Sequence, residues 1–321
     1  MVSPMGAGAR SEDALAALLL ATRMGDADEA PLAPQRFWSL VAAVPEPSVL
    51  FATTAGDIAR RTGLPGHEAE GVERLLAAGT RLALALERSE RQGFFALTPF
   101  DAGYPRTLRD RLGDQAPPVL FTVGARELLS AESIGVVGSR AVSREGQSVA
   151  REVGERVVRD GLALVSGGAK GVDRAAMSAA LEAGGRVVGY LAESLLRRVR
   201  EPSTRRALAD GTTCFATPFD PSTGFSAAHA IGRNKLIYAS ARMTMVVASD
   251  LDRGGTWEGA TEALRRGYGS VAVWVGSGAG PGNERLAELG ATPVDDIASI
   301  LRTPPDVPAT PGVPEQLPMD L

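Results

Sequence analysis

The chain has 321 residues, 44% hydrophobic and 22% charged, enough for a globular protein of two domains with a full core. A formal charge of -4 excludes a polybasic chain, so any nucleic-acid surface is a local patch. One cysteine, Cys214, and two histidines, His67 and His229, exclude an intramolecular disulfide and argue against a zinc cluster or a His-rich metal site. No metal or cofactor is expected.

Residues 1–10 are small and Gly-containing and read as disordered. Ser11 caps a helix running to about Met24, whose acidic start and short apolar stretch do not fit a secretory leader. No stretch reaches the length of a membrane span, so a cytoplasmic chain with no membrane partner is expected. Residues 31–37 begin a second helix, with Phe37, Trp38, Leu40 and Val41 on its apolar face. Asp57 to Gly66 resembles the first helix and turn of a helix-turn-helix or helix-hairpin-helix unit. Glu68 to Arg91 reads as one long amphipathic helix, with Val72, Leu75, Leu76, Leu82 and Leu86 at roughly helical spacing. Residues 11–93 thus form a small all-helical domain of SAM or helix-hairpin-helix type. It reads first as a packing module and second as a DNA or partner contact through Arg60 and Arg61.

From residue 94 a second domain extends to 302. Phe94 to Asp101 leads out of the helices, and Tyr104-Pro105 begins a connector. Pro117 to Phe121 is expected as an edge strand, because prolines bar a central place. Strands are then expected at 134–137, 162–165, 186–191, 212–216, 244–248 and 270–275. Helices fall between them at 144–159, 172–183, 203–209, 233–241 and 257–266, with two more near 283–289 and 296–301. Such alternation predicts an α/β fold, a doubly wound and mostly parallel sheet. Residues 218–230 read as a long loop, and the Pro-rich residues 303–321 as a disordered tail.

The segment Ser133–Asp173 organises this domain. Two buried strands each run into a Gly-rich turn and then a helix, which puts both turns at the carboxyl edge of the sheet. Glycines allow close approach of a ligand, and helix starts aim N–H groups at it, so a phosphate-bearing ligand is the natural expectation. The first turn offers Gly138, Ser139, Arg140 and Ser143; the second offers Ser166, Gly167, Gly168 and Lys170. Arginine binds phosphate bidentately. Asp173 reads as a cap of the following helix. Arg233, Asn234 and Lys235 are read as opening a later helix, where cations oppose the helix dipole unless an anion is present. Gly254, Gly255, Thr256 and Glu258 end another strand and serve either as a phosphate site or only as a turn. Cys214 reads as core. Glu193 has no second carboxylate spaced to work with it, and His229 has no evident partner, so no catalytic residue is assigned.

Several ordered motifs resemble the DNA-processing protein A (DprA/Smf) family over roughly residues 95–300. They are Thr98-Pro-Phe-Asp-x-x-Tyr104-Pro105, Pro117-Pro-Val-Leu-Phe-x-x-Gly124, Val137-Gly-Ser-Arg140-x-x-Ser143, Ser166-Gly-x-Ala-x-Gly171-Val-Asp173 and Gly232-Arg233-Asn234-Lys235. The chain departs from the family pattern at Met177, at Ala216-Thr217-Pro218 and at Gly254-Gly255-Thr256-Trp257-Glu258, as in a divergent branch. The resemblance implies a Rossmann-like domain that binds single-stranded DNA without catalysis and loads a RecA-type recombinase in natural transformation, as a homodimer. It implies Arg140, Lys170, Arg233 and Lys235 as DNA-contacting cations, beside Ser139, Ser166, Gly167 and Asn234. An alternative stays open. Gly254-Gly255-Thr256-x-Glu258 also resembles part of the motif of the lysine-decarboxylase-like nucleotide phosphoribohydrolases, with Glu258 catalytic and a small nucleotide as ligand.

Overall fold

A computed structural model of the protein describes residues 10–299. The disorder expected for residues 1–9 and 303–321 lies outside the described residues. Arg10, grouped with that N-terminal stretch, is held in place: its guanidinium donates to Glu90 Oε1 at 2.9 Å and to the Ala96 carbonyl at 2.7 Å.

Five helices come first. In α1 (Glu12–Ala21) Ser11 Oγ accepts the Ala14 N–H, and Glu12 and Asp13 face the positive end of the helix dipole. The helix ends at Ala21, three residues short of Met24; its C-cap is Thr22, whose hydroxyl donates to the Leu18 carbonyl and accepts from the Met24 N–H. Pro34 opens α2 (Pro34–Ala43), where its missing N–H costs nothing. α3 (Ala55–Thr62) ends on left-handed Gly63. The expected long helix is two, α4 (Gly66–Leu76) and α5 (Gly79–Arg91). The break lies at Ala77 and Ala78, where Ala78 (φ -86°, ψ 17°) leaves helical geometry just before Gly79 opens the second helix.

A nine-stranded sheet follows, in the order β1-β2-β6-β5-β4-β3-β7-β8-β9. β1 (Phe94–Leu97) pairs antiparallel with β2 (Leu120–Gly124), and α6 (Arg106–Leu112) connects them. β2 is not an edge strand. It pairs antiparallel with β1 on one side and β6 on the other, because Pro117 and Pro118 precede the strand and leave its amides free. The parallel part comprises β3 (Ser133–Val137), β4 (Ala163–Ser166), β5 (Arg186–Tyr190), β6 (Thr213–Thr217), β7 (Met243–Val246), β8 (Ser270–Trp274) and β9 (Thr292–Val294). The connecting helices are α7 (Arg144–Arg159), α8 (Val172–Glu182), the short α9 (Leu195–Arg198), α10 (Pro202–Ala209), α11 (Ala227–Ser240), α12 (Gly254–Arg266) and α13 (Asn283–Glu288). Residues 297–299 form a 3-10 turn where the last helix is expected.

β3 leads through α7 to β4 on one side, while β6 leads through α11 to β7 on the other. Right-handed crossovers in opposite directions put their helices on opposite faces and open a crevice at the carboxyl ends of β3 and β7. One continuous apolar cluster runs from Leu18 and Phe37 in the leading helices to Val273 in the sheet. Trp38 fastens the junction, donating its Nε1–H to the Ala116 carbonyl at 2.8 Å.

Candidate nucleic-acid interface

The crevice between β3 and β7 is built from three pieces of chain. After β3, Gly138 turns the backbone against α8, where a Cβ would meet Val172 Cγ2 at 2.5 Å. The Ser139 N–H then donates to the Ala248 carbonyl at 2.8 Å, which stitches this turn to the chain leaving β7. Arg140 follows, exposed, with Cζ 4.9 Å from the ring centroid of Phe225. The second piece is α11. The third is the first turn of α12, which Gly254, Gly255 and Thr256 form themselves. Arg253, at its N-cap, makes no side-chain cap, so the amide end of α12 faces the crevice without a side-chain cap, a ready anion site.

α11 begins earlier than its sequence indicates. Ser226 Oγ accepts the His229 N–H at 3.0 Å and caps the helix, so Arg233, Asn234 and Lys235 lie in its second turn and beyond. Their charge is therefore not a mismatch with the dipole at a helix start. Successive helical residues point about 100° apart, and the three side chains separate accordingly. Arg233 and Asn234 line the crevice, and Asn234 Nδ2 donates to the Gly255 carbonyl at 2.8 Å. Lys235 points away, with Nζ 3.3 Å from Gln115 Oε1.

The resulting cleft has a volume of about 480 Å³ and brings together Gly138, Ser139, Arg140, Arg233, Asn234, Gly254, Gly255, Thr256 and Glu258. Other expected site residues lie elsewhere. Ser143 is the N-cap of α7, its Oγ accepting from the Gly146 N–H. Ser166 is buried, and its hydroxyl donates to the Val136 carbonyl at 2.6 Å, a bond inside the sheet. Lys170 is exposed and does not line the cleft. Gly167 and Gly168 form its support. A Cβ on Gly167 would collide with Arg233, and Gly168 occupies the left-handed region at φ 70°. The convergence expected of four cations therefore holds for Arg140 and Arg233 only.

Three residues that the sequence left unremarked complete the picture. Phe225, 53% exposed, lies in the loop between β6 and α11 and lines the cleft. Arg253 stands at the rim, 4.0 Å from Asp250. Arg198, on α9, donates to the Gly168 carbonyl at 3.4 Å and to Glu201, and lies 3.7 Å from Glu193; it braces the second Gly-rich turn from behind.

Arg140, Arg233 and Arg253 face Asp173, Asp250 and Glu258, so formal charge in the cleft is balanced. Position breaks the balance. Asp173 is buried at the N-terminus of α8, but it is not the cap; Gly171 holds that position. Its carboxylate receives backbone N–H groups from Ala169, Gly138 and Gly167, which ties both Gly-rich turns together. Burial raises its pKa, against the pull of Arg233. Burial likewise draws the Arg233 guanidinium down to about 10, with Asp173 opposing and Arg140 adding to the shift, so Arg233 remains charged at neutral pH. Its Nε and Nη1 have no hydrogen-bond partner in the protein. Arg140 and the amide end of α12 are the parts a ligand meets first.

Among the described residues no cluster of three His, Cys, Asp or Glu side chains could hold a metal ion. Cys214 lies in the core of β6, where burial pushes its thiol up to about 12. Among the described residues no helix is long and apolar enough to cross a membrane.

Residues 95–304 match the family model described as DNA recombination-mediator protein A. Two solved structures share the fold. DNA processing protein A from Streptococcus pneumoniae is 24% identical with a TM-score of 0.64, the match covering 84% of this chain and 98% of that one. DNA processing protein A from Helicobacter pylori, described for its single-stranded DNA binding mode, is 20% identical with a TM-score of 0.54, covering 65% of this chain and 94% of that one. No curated protein matches the chain.

Proposed function

The chain belongs to the DNA recombination-mediator protein A family, and from that premise we propose that it binds single-stranded DNA in the cleft between β3 and β7. The observation that carries this reading is the meeting of Arg140, Arg233 and the amide end of α12 at the point where the sheet reverses its winding. A phosphate fits between the exposed Arg140 guanidinium and the first turn of α12. Phe225 gives the neighbouring base a ring to stack on. Contacts of this kind are to phosphate and to base faces, so little sequence preference is expected.

The reading is of a binder and not an enzyme. Among the described residues no His or Cys lines the cleft, and its most buried carboxylate is taken up by three backbone amides. From its family we extend the proposal to a cytoplasmic homodimer that protects incoming DNA and hands it to a RecA-type recombinase. Gly254, Gly255, Thr256 and Glu258 do share the cleft, as the phosphoribohydrolase alternative requires, and one experiment separates the two. Fluorescence anisotropy of a labelled oligothymidylate is run beside calorimetry with mononucleotides. Saturable oligonucleotide binding, with mononucleotides much weaker, supports the proposal. Tight mononucleotide binding or release of the free base would replace it with the alternative.

A further inference from the structure

A second cavity, of about 450 Å³, lies on the other side of α11, between the leading helices and the sheet. Its walls are apolar, with Met24, Leu32, Val119, Phe121, Phe219 and Leu236 contributing side chains. Two polar groups in it lack adequate partners. His229, stacked on Phe219 with centroids 4.1 Å apart, has a buried Nδ1 with no hydrogen-bond partner. The Lys235 ammonium carries three donors and donates to Gln115 Oε1 at 3.3 Å, an acceptor that Tyr268 Oη also uses at 3.2 Å. Burial pulls the Lys235 pKa down, although Glu262 and Asp114 act at longer range to raise it. The acidic lining residue, Asp220, is committed to its own turn, accepting from the Ser222 N–H and hydroxyl. Arg23 stands at the same cavity.

An apolar chamber of this size with a few convergent polar groups has the character of a small-molecule site. The charge that is short of a partner is positive, so the missing partner is an anion on an apolar body. We propose that this cavity binds a small organic carboxylate with an aromatic or branched aliphatic body, its carboxylate on Lys235 Nζ. A carboxylate would supply Lys235 with a charge-assisted bond that Gln115 does not. This site is separate from the DNA cleft, because Lys235 and Arg233 leave α11 in different directions.

The test uses the full chain and 2-naphthoate as probe, with neutral 2-naphthamide as its isostere. Calorimetry should show one saturable site for naphthoate, with the amide about tenfold weaker or more, as for loss of one charge-assisted bond. Lys235→Gln should weaken naphthoate by a similar factor without changing the thermal midpoint by more than a few degrees. In methyl-labelled protein the Met24 resonance should shift during the titration. No saturable binding, equal affinity for acid and amide, full affinity in the Lys235 variant, or shifts that spare Met24 would each overturn the proposal.

Discussion

The Arg233 guanidinium lies so close to Gly167 that a Cβ on that glycine would stand 1.6 Å from Arg233 Nη1. The second Gly-rich turn is therefore the wall that holds a buried arginine in the cleft. Gly167→Ala should push the buried guanidinium off this wall, toward the open cleft that it lines. Overpacking of this kind costs about 1–3 kcal/mol. Urea unfolding should register that loss, and anisotropy should show oligonucleotide affinity reduced about tenfold or more.

Ser143 gives the opposite pattern. As the N-cap of α7 it contributes to folding and stands outside the cleft. Ser143→Ala should lower stability by about 1 kcal/mol while oligonucleotide affinity is unchanged. Unfolding and binding curves on the same preparation check both halves.

How far the site can be read from sequence follows from what each signal is. The short β-branched runs at 134–137 and 244–248 and the glycines after them mark strands and turns, because burial and backbone freedom are local properties. Arg140 and the Gly254-Gly255-Thr256 turn are legible for that reason. Ser166 and Ser143 have the same local signature, yet their hydroxyls serve a strand and a helix cap. Lys235 is misleading because the start of α11 is hidden. Ser226 caps it from inside a loop-like stretch, so Arg233, Asn234 and Lys235 lie past the first turn, where about 100° per residue sends them to different sides instead of to a shared anion at the helix end. β1 escapes notice because Phe94–Leu97 holds no β-branched residue, and β9 because it is three residues long and holds a proline. β2 reads as an edge because its prolines belong to the residues before the strand.

Phe225 is half exposed beside Arg140, so its removal leaves the core untouched. Phe225→Ala should lower oligonucleotide affinity by about 1–3 kcal/mol, the usual worth of one stacked base, with no change in thermal midpoint. Tryptophan in its place should retain the affinity.

Asp173 makes binding depend on pH, with Arg233, Arg140, Asp250, Arg253 and Glu258 facing the same cleft. Because burial raises its pKa, Asp173 takes up a proton above the ordinary carboxylate range. Protonation removes a negative charge beside Arg233, so oligonucleotide affinity should rise as pH falls through that raised value. The stability sign agrees: a raised folded pKa contributes stability below the unfolded pKa, and the contribution is lost as pH rises through the folded one. Asp173→Asn keeps an acceptor for the Ala169 N–H and should flatten the binding profile. Anisotropy across a pH series on both proteins gives the comparison.

The most direct measurement is the salt dependence of oligothymidylate binding for the natural chain and for Arg140→Glu. On single strands the logarithm of affinity falls with the logarithm of salt by about 0.7 per phosphate neutralised. The variant should bind more weakly at low salt, with a slope shallower by about that amount, while its unfolding curve stays in place. Superimposable salt curves for the two proteins would contradict a phosphate site at the ends of β3 and β7.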